Sequence, residues 1–175
     1  MAEVHVIGQV TGASDFSNPC LSCRWKLVFG ANWRPIEGSI EGLTQLDCPQ
    51  TGNTAHFSHP IDVHFLTSGL QGWPKFEFEV WQQDSYRRTF PVAYGFLQLP
   101  STPGRHQLTC LTWRPIASGL EEIVSVFSGG GLRLETTQIV SDSLERFRLQ
   151  TESSGKINID IYVITRHFDR FGIES

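Results

Sequence analysis

The sequence is short of cysteine, of lysine and of long apolar segments, and each shortage argues against a class of protein. Four cysteines among 175 residues are too few for the disulfide scaffold of a small secreted domain. No segment approaches the roughly 18 apolar residues of a membrane-spanning helix, because Asp160 and Arg166 interrupt the most apolar stretch. The N-terminal residues lack the basic and apolar regions of a secretory signal, and no Asn-x-Ser/Thr sequon is present. We therefore expect a cytoplasmic protein in a reducing compartment.

The charge balance argues against nucleic acid as a partner. The formal net charge is −4 and the pI is about 5.8, whereas proteins that bind the phosphate backbone usually have a basic excess. Only three of the 14 basic residues are lysines, and arginine more readily forms bidentate, partly buried pairs at protein interfaces. The length suits one domain, which we expect to span residues 1–175.

Alternation with a period of two dominates the readable segments. In the segment 75–81, Phe76, Phe78 and Val80 share one face. The other face is expected to meet solvent and consists of Lys75, Glu77, Glu79 and Trp81. The same pattern occurs at 23–29, 147–149 and 157–163, with weaker strand signals at about 2–10, 61–66, 94–99 and 105–111. About eight short strands separated by Gly, Pro and Ser turns predict an all-β fold, an antiparallel β-sandwich.

One helix is predicted among these strands. Ser118–Glu121 has the form of a capping box, apolar residues follow at helical spacing up to Phe127, and Gly129–Gly131 supplies a stop. We expect this short amphipathic helix to pack across an end or edge of the sandwich. The longest predicted loops, at about 11–20, 38–56 and 82–92, should gather at the ends of the sandwich, where function is often found.

The search for catalytic and metal-binding motifs leaves one weak alternative, a zinc site or small metal enzyme built on Cys20 and Cys23. Three histidines could complete such a site: His56, His59 and His64. A single cysteine pair is a weak match, since structural zinc sites usually show a second closely spaced ligand pair. Cys23 also alternates with Trp25 on an apolar face, where cysteine behaves as a small hydrophobe. Because no nucleophile elbow, phosphate loop or zinc-protease motif occurs, we expect no catalytic site, no metal and no cofactor.

Several segments resemble C2 domains. Ser14–Pro19 before the strand at 23–29 is similar to the first calcium loop of that family, and the likeness continues through Ser58–Phe65, Phe76–Asp84 and Gly95. The resemblance implies a C2-like sandwich.

The calcium positions implied by this resemblance are eroded. Asn18, Gln82 and Val92 stand where the family has acidic residues, and only Asp15 and Asp84 remain. Calcium takes six to eight oxygen ligands, several of them charged, so two carboxylates would bind it weakly. We therefore expect a calcium-independent C2-type domain.

A second, more specific resemblance covers nearly the whole chain, from Ala2 to Gly172. Its motifs are Gln71–Pro74, Val80–Ser85, Tyr94–Phe96, Pro103-Gly104 with His106, Leu108 and Cys110, Thr112–Pro115, and Arg166–Gly172. Together they are similar to the B9-domain family of ciliary transition-zone proteins.

This resemblance implies a non-enzymatic structural adaptor of the Meckel syndrome (tectonic-like) complex. Such a protein would act at the cilium base, the transition zone, basal body and centrosome, supporting ciliogenesis and the membrane diffusion barrier. The implied partners are B9 domain-containing protein 1 and Meckel syndrome type 1 protein. The alternative is a calcium-independent phospholipid-binding module that meets an anionic membrane surface.

Candidate contact residues follow from charge and aromatic character at positions where alternation predicts solvent. Five residues are candidates for the partner interface: Trp81, Arg114, Arg146, Arg148 and Arg170. For Trp81 a structural role at the strand end is an equal alternative. A solvated polar face is the alternative for Arg146 and Arg148, and a loop-anchoring role is the alternative for Arg170. Trp113 and Phe168 are expected to be packing residues. Arg87 and Arg88 are the candidates for lipid contact.

Overall fold

Nine antiparallel strands make up the part of the chain that the computed structural model describes, residues 1–116 and 150–168. Their bounds are β1 Ala2–Ser14, β2 Leu21–Val28, β3 Trp33–Gly38, β4 Glu41–Leu43, β5 Thr54–Thr67, β6 Lys75–Gln83, β7 Thr89–Gln98, β8 Gly104–Pro115 and β9 Thr151–Arg166. The hydrogen-bonded order is β3-β5-β1-β9-β8-β7-β6-β2-β4.

The strands form two layers that are joined at one seam. β7 and β8 share a single residue pairing, Tyr94 with Trp113, so the ladder is nearly interrupted there and the sheet can fold over on itself. The first layer, β3-β5-β1-β9-β8, then faces the second layer, β7-β6-β2-β4. Ring contacts cross the interior between them, with centroids 5.2 Å apart for Phe29 and Phe65. The expected all-β antiparallel sandwich is confirmed.

The core forms as the alternation predicts. Residues of one parity on β1, β2, β6 and β9 point between the layers and are buried: Val4, Val6, Val10, Cys23, Trp25, Leu27, Phe76, Phe78, Val80, Ile157, Ile159, Ile161 and Val163. Because successive strand side chains face opposite sides, the intervening residues form the outer faces of the two layers.

The strand count exceeds the prediction of about eight, since β3 and β4 were not predicted. β3 contains Pro35 and is irregular before Glu37, and β4 has only 3 residues. Both are edge strands, where proline and short length are tolerated. The predicted loops are correspondingly shorter than expected. No helix of the described residues is long and apolar enough to cross a membrane.

Two sequence predictions fall on residues outside the described ranges, the helix beginning at Ser118 and the strand at 147–149.

The exposure predicted for Glu77 and Glu79 is wrong. Both side chains lie on the outer face of β6 as expected, but they are only 8% and 7% exposed. In the strand register, Arg24 and Lys26 of β2 lie on one side of them and Tyr94 and Phe96 of β7 on the other. These long side chains flank the shorter glutamates.

A disulfide that the sequence did not predict joins Cys20 to Cys48. Leu21 and Asp47 exchange two backbone hydrogen bonds of 2.9 Å, which places the neighbouring cysteines opposite one another. The bond connects the segment before β2 to the segment after β4. Cys23 and Cys110 are free and buried.

The two faces of β9 provide a first prediction. Ile161 is fully buried and Ile164 is 52% exposed, so Ile161→Ala should lower the free energy of unfolding by about 2–5 kcal/mol. Ile164→Ala is the matched control and should change it by less than about 1 kcal/mol. Urea unfolding of both variants measures this, and equal effects would contradict the assigned register.

The cysteines provide a second prediction. Burial raises the pKa of the Cys110 thiol to about 12 and also raises that of Cys23, and the thiolate is the reactive form. At pH 8 without reductant, iodoacetamide should therefore modify none of the four cysteines of the folded protein. Unfolding should expose Cys23 and Cys110 only, and reduction should add Cys20 and Cys48. Mass spectrometry of the peptides reads the result, and labelling of Cys20 before reduction would disprove the disulfide.

Candidate functional site

The segments 15–20, 44–53 and 84–88 lie at one end of the sandwich. β1 and β6 end there, and β2, β5 and β7 begin there. The backbone N–H of Gln83 donates to the Cys20 carbonyl over 3.0 Å. Asn18 Nδ2 donates to the Gln83 carbonyl over 3.3 Å. These bonds bring together the two loops that correspond to the calcium loops of the C2 resemblance.

The two carboxylates that remain at the calcium positions of the C2 resemblance, Asp15 and Asp84, are paired with cations of the chain itself. Asp15 Oδ2 lies 2.8 Å from Lys156 Nζ. Asp84 accepts backbone N–H bonds from Tyr86 and Arg88, each of 2.9 Å, and its second oxygen lies 2.8 Å from the Arg88 guanidinium. Partial desolvation raises the pKa of Asp84, but these hydrogen bonds and the Arg88 charge outweigh it and lower the pKa below its usual value. Asp84 therefore remains ionised at neutral pH.

The three eroded positions have structural contacts. Asn18 Oδ1 accepts the Cys20 N–H over 2.9 Å, Gln82 pairs with Phe90 across the strands, and Val92 packs against the core. Residues 1–116 and 150–168 contain no group of three or more His, Cys, Asp or Glu side chains that could hold a metal ion.

The residues of the zinc alternative do not come together. The sulfur of Cys20 is bonded to Cys48 and Cys23 is buried in the core. His59 lies against Trp25, and His64 Nε2 lies 3.6 Å from a Glu3 carboxylate oxygen. The spacing of the first two cysteines therefore does not correspond to a shared site.

Trp81 lines a groove on the outer face of the second layer. This groove, here called the β2–β6 groove, has a volume of about 630 Å³. Its lining residues are Ser22, Arg24, Glu41, Gly42, Leu43, Trp81 and Thr89. Leu43, on the edge strand β4, is 60% exposed.

The charged members of the β2–β6 groove form one ion pair, with Arg24 Nη2 3.6 Å from Glu41 Oε2. Leu43 was not predicted as a contact residue, although an apolar residue in a predicted loop was an available signal.

Arg114 lies on the outer face of the first layer and forms an ion pair with Glu152 of β9. The adjacent Trp113 is buried, as is Phe168, whose ring lies 6.2 Å from that of Trp73. Both predicted packing roles are confirmed. The other candidate contact residues, Arg146, Arg148 and Arg170, lie outside the described residues.

The two arginines proposed for lipid contact differ in their surroundings. Arg88 is paired with Asp84, and its guanidinium lies 5.3 Å from the centre of the Tyr86 ring. Arg87 has a positive φ of 64° and is exposed. Tyr86 is 79% exposed, so this turn presents an aromatic ring and one cation to solvent.

The fold of this chain is only weakly similar to that of one solved structure. The structure titled "2.0 angstrom structure of plant Extended Synaptotagmin 1, C2A domain" aligns with 93% of this chain and 93% of that one, at 12% identity and a TM-score of 0.44. The fold assignment depends instead on the strand order and pairing given above.

Similarity to known sequences extends along the whole chain. The chain is 49% identical over 174 residues to B9 domain-containing protein 2 of Homo sapiens, covering 99% of each. It is 46% identical over 175 residues to the protein of that name from Danio rerio, covering 100% of each. B9 domain-containing protein 1 of Xenopus laevis is 27% identical, over 98% of this chain and 88% of that protein. The family model described as "Ciliary basal body-associated, B9 protein" matches residues 4–164, and the chain belongs to this B9 family.

Proposed function

We propose that this protein is a non-enzymatic adaptor of the Meckel syndrome (tectonic-like) complex at the ciliary transition zone. In this role a single domain spanning residues 1–175 bridges B9 domain-containing protein 1 and Meckel syndrome type 1 protein, and so supports ciliogenesis and the membrane diffusion barrier. The proposal rests on membership of a family described as ciliary basal body-associated.

The observation that supports a binding role is the composition of the β2–β6 groove. It combines a tryptophan, an arginine and an exposed leucine, Trp81, Arg24 and Leu43, on one outer sheet face. Trp and Arg are the residue types that most often dominate the binding energy of protein interfaces. Strand residues hold such side chains in fixed positions, which lowers the entropy lost on binding.

The edge strand β4 strengthens this argument. β4 hydrogen-bonds only to β2 among the described strands, and its three residues leave one side of the ladder open. Leu43 is 60% exposed on this strand and gives the edge an apolar side chain that a partner would bury. A protein partner that packs on Leu43 would cover both features.

Trp81→Ala is expected to weaken association with B9 domain-containing protein 1 by about 2 kcal/mol, or roughly 30-fold in Kd. Leu43→Asp tests the same surface at a position exposed enough to leave the core intact. Tyr162→Ala is the control, because Tyr162 is 48% exposed on the outer face of the other layer. Light scattering on a sizing column and calorimetric titration measure assembly. If the folded wild-type chain and folded B9 domain-containing protein 1 do not associate, the adaptor role is contradicted. If only Tyr162→Ala weakens the association, the interface lies on the outer face of the first layer and not at the β2–β6 groove.

A second candidate function, contact with anionic lipid, is favoured by the turn at 84–88. Exposed Tyr86 beside Arg87 matches the aromatic and basic composition of membrane-surface contacts. Arg88 contributes less, because Asp84 neutralises its charge.

In sedimentation with phosphatidylserine vesicles, Arg87→Glu and Tyr86→Ala should each reduce the bound fraction more than Arg88→Ala does. Arg166→Glu is the charge-matched control, since Arg166 is 70% exposed at the opposite end of the sandwich. Binding that is absent for the wild type, or equally reduced by Arg166→Glu, would exclude contact through this turn.

A further inference from the structure

Two glutamates on the outer face of β6 are buried residues whose carboxylates have no partner in the described part of the chain. Glu77 and Glu79 are both more than nine-tenths buried. Among the residues that the structure describes, neither forms a hydrogen bond or an ion pair. The fully buried polar atoms without a hydrogen-bond partner do not include the carboxylate oxygens of Glu77 or Glu79, so the small exposed part of each residue includes its carboxylate. An unpaired carboxylate that is open on one side attracts a cation.

The two glutamates line a cavity of about 100 Å³ beside the β2–β6 groove. Phe78 and Tyr94 also contribute to its lining, and Arg24 and Glu41 belong to both the cavity and the groove. A partner seated in the groove would therefore lie next to the cavity.

The two cations of β2 that lie opposite these glutamates do not pair with their carboxylates. Arg24 lies opposite Glu79 in the strand register, and Lys26 lies opposite Glu77. The Arg24 guanidinium is half exposed and is directed to Glu41, 3.6 Å away. Lys26 is exposed and forms no ion pair in the described part of the chain.

We propose that this cavity binds the guanidinium group of an arginine side chain presented by a protein partner. Glu77 and Glu79 are two positions apart on one strand face, about 7 Å along the strand. A planar guanidinium with five N–H donors can bridge two such carboxylates, whereas an ammonium is a single point charge. Phe78 and Tyr94 line the same cavity and are only 2% and 1% exposed, so the two carboxylates supply the attraction for the guanidinium. This inference rests on the proposed function, because a protein partner must supply the side chain.

A small probe tests the cavity without any partner. Nα-acetyl-arginine methylamide is titrated into isotope-labelled protein while the side-chain carboxyl resonances of the glutamates are followed by NMR. We expect saturable shifts of Glu77 and Glu79, with a Kd on the order of millimolar. The citrulline analogue has a similar shape but no charge, and it should give no such shifts. Equal shifts with citrulline, or none with arginine, would overturn the proposal.

Variants locate the binding. Glu77→Gln with Glu79→Gln should weaken the arginine probe at least tenfold. Glu41→Gln is the matched control and should weaken it less than threefold, because Glu41 is already paired with Arg24. Both substitutions keep the shape of the side chain, and a thermal melt verifies folding. If the double variant did not fold, the shifts in the wild-type protein would still decide the question. A larger effect of Glu41→Gln would disprove the assignment to β6.

The partner experiment separates this inference from the proposed function. With B9 domain-containing protein 1, the double variant should bind at least tenfold more weakly than the wild type. If the wild-type chain does not assemble with this protein, the adaptor role is contradicted. The arginine probe alone then shows whether the cavity binds a guanidinium. Assembly that the double variant leaves unchanged, alongside arginine binding by the cavity, would overturn the claim that this partner supplies the arginine.

Discussion

The register of β1 is the constraint on which the first layer depends. β1 pairs with β5 on one side and with β9 on the other along nearly its whole length. The residue register of both pairings shifts between Val10 and Gly12. A slip of one residue would turn Val4 and Val6 outward, because side chains alternate with a period of two. Since β9 also pairs with β8, and β5 with β3, the register of β1 determines which side chains of the whole layer face the core.

One row of side chains connects the features of the second layer. Reading across the strands, the pairings place Leu43, Arg24, Glu79, Tyr94 and Trp113 in line. The row begins at the open edge, crosses the groove and the acidic cavity, and ends at the seam where the layers join. Tyr94 and Trp113 pack there with ring centroids 5.7 Å apart. The proposed contact surface is therefore built on the same rungs that close the sandwich, which makes it rigid.

The sequence predicted the strands that obey alternation and missed what depends on distant contacts. β2, β6 and β9 were predicted with the correct inward faces, because burial of one face imposes a strict pattern. β3 and β4 have no such pattern, since edge strands can be short and can contain Pro35. The burial of Glu77 depends on long neighbours from two other strands, which alternation does not report. The pairing of Cys20 with Cys48 likewise requires the bridge between β2 and the segment after β4.

The end of the sandwich formed by segments 15–20, 44–53 and 84–88 shows which features a resemblance between sequences predicts and which it does not. The loss of acidic positions was evident from the C2 resemblance, but the partners of the two remaining acids were not. Asp15 contacts Lys156, far away along the chain, and Asp84 caps its own turn by accepting two backbone N–H bonds. An exposed ion pair contributes little by itself, so the backbone hydrogen bonds are what fix the turn at 84–88. A loop end closed by its own cations and amides needs no divalent ion to hold its shape. In the proposed adaptor role, recognition therefore uses the outer sheet face that presents Trp81 and not the loops where C2-type calcium sites lie.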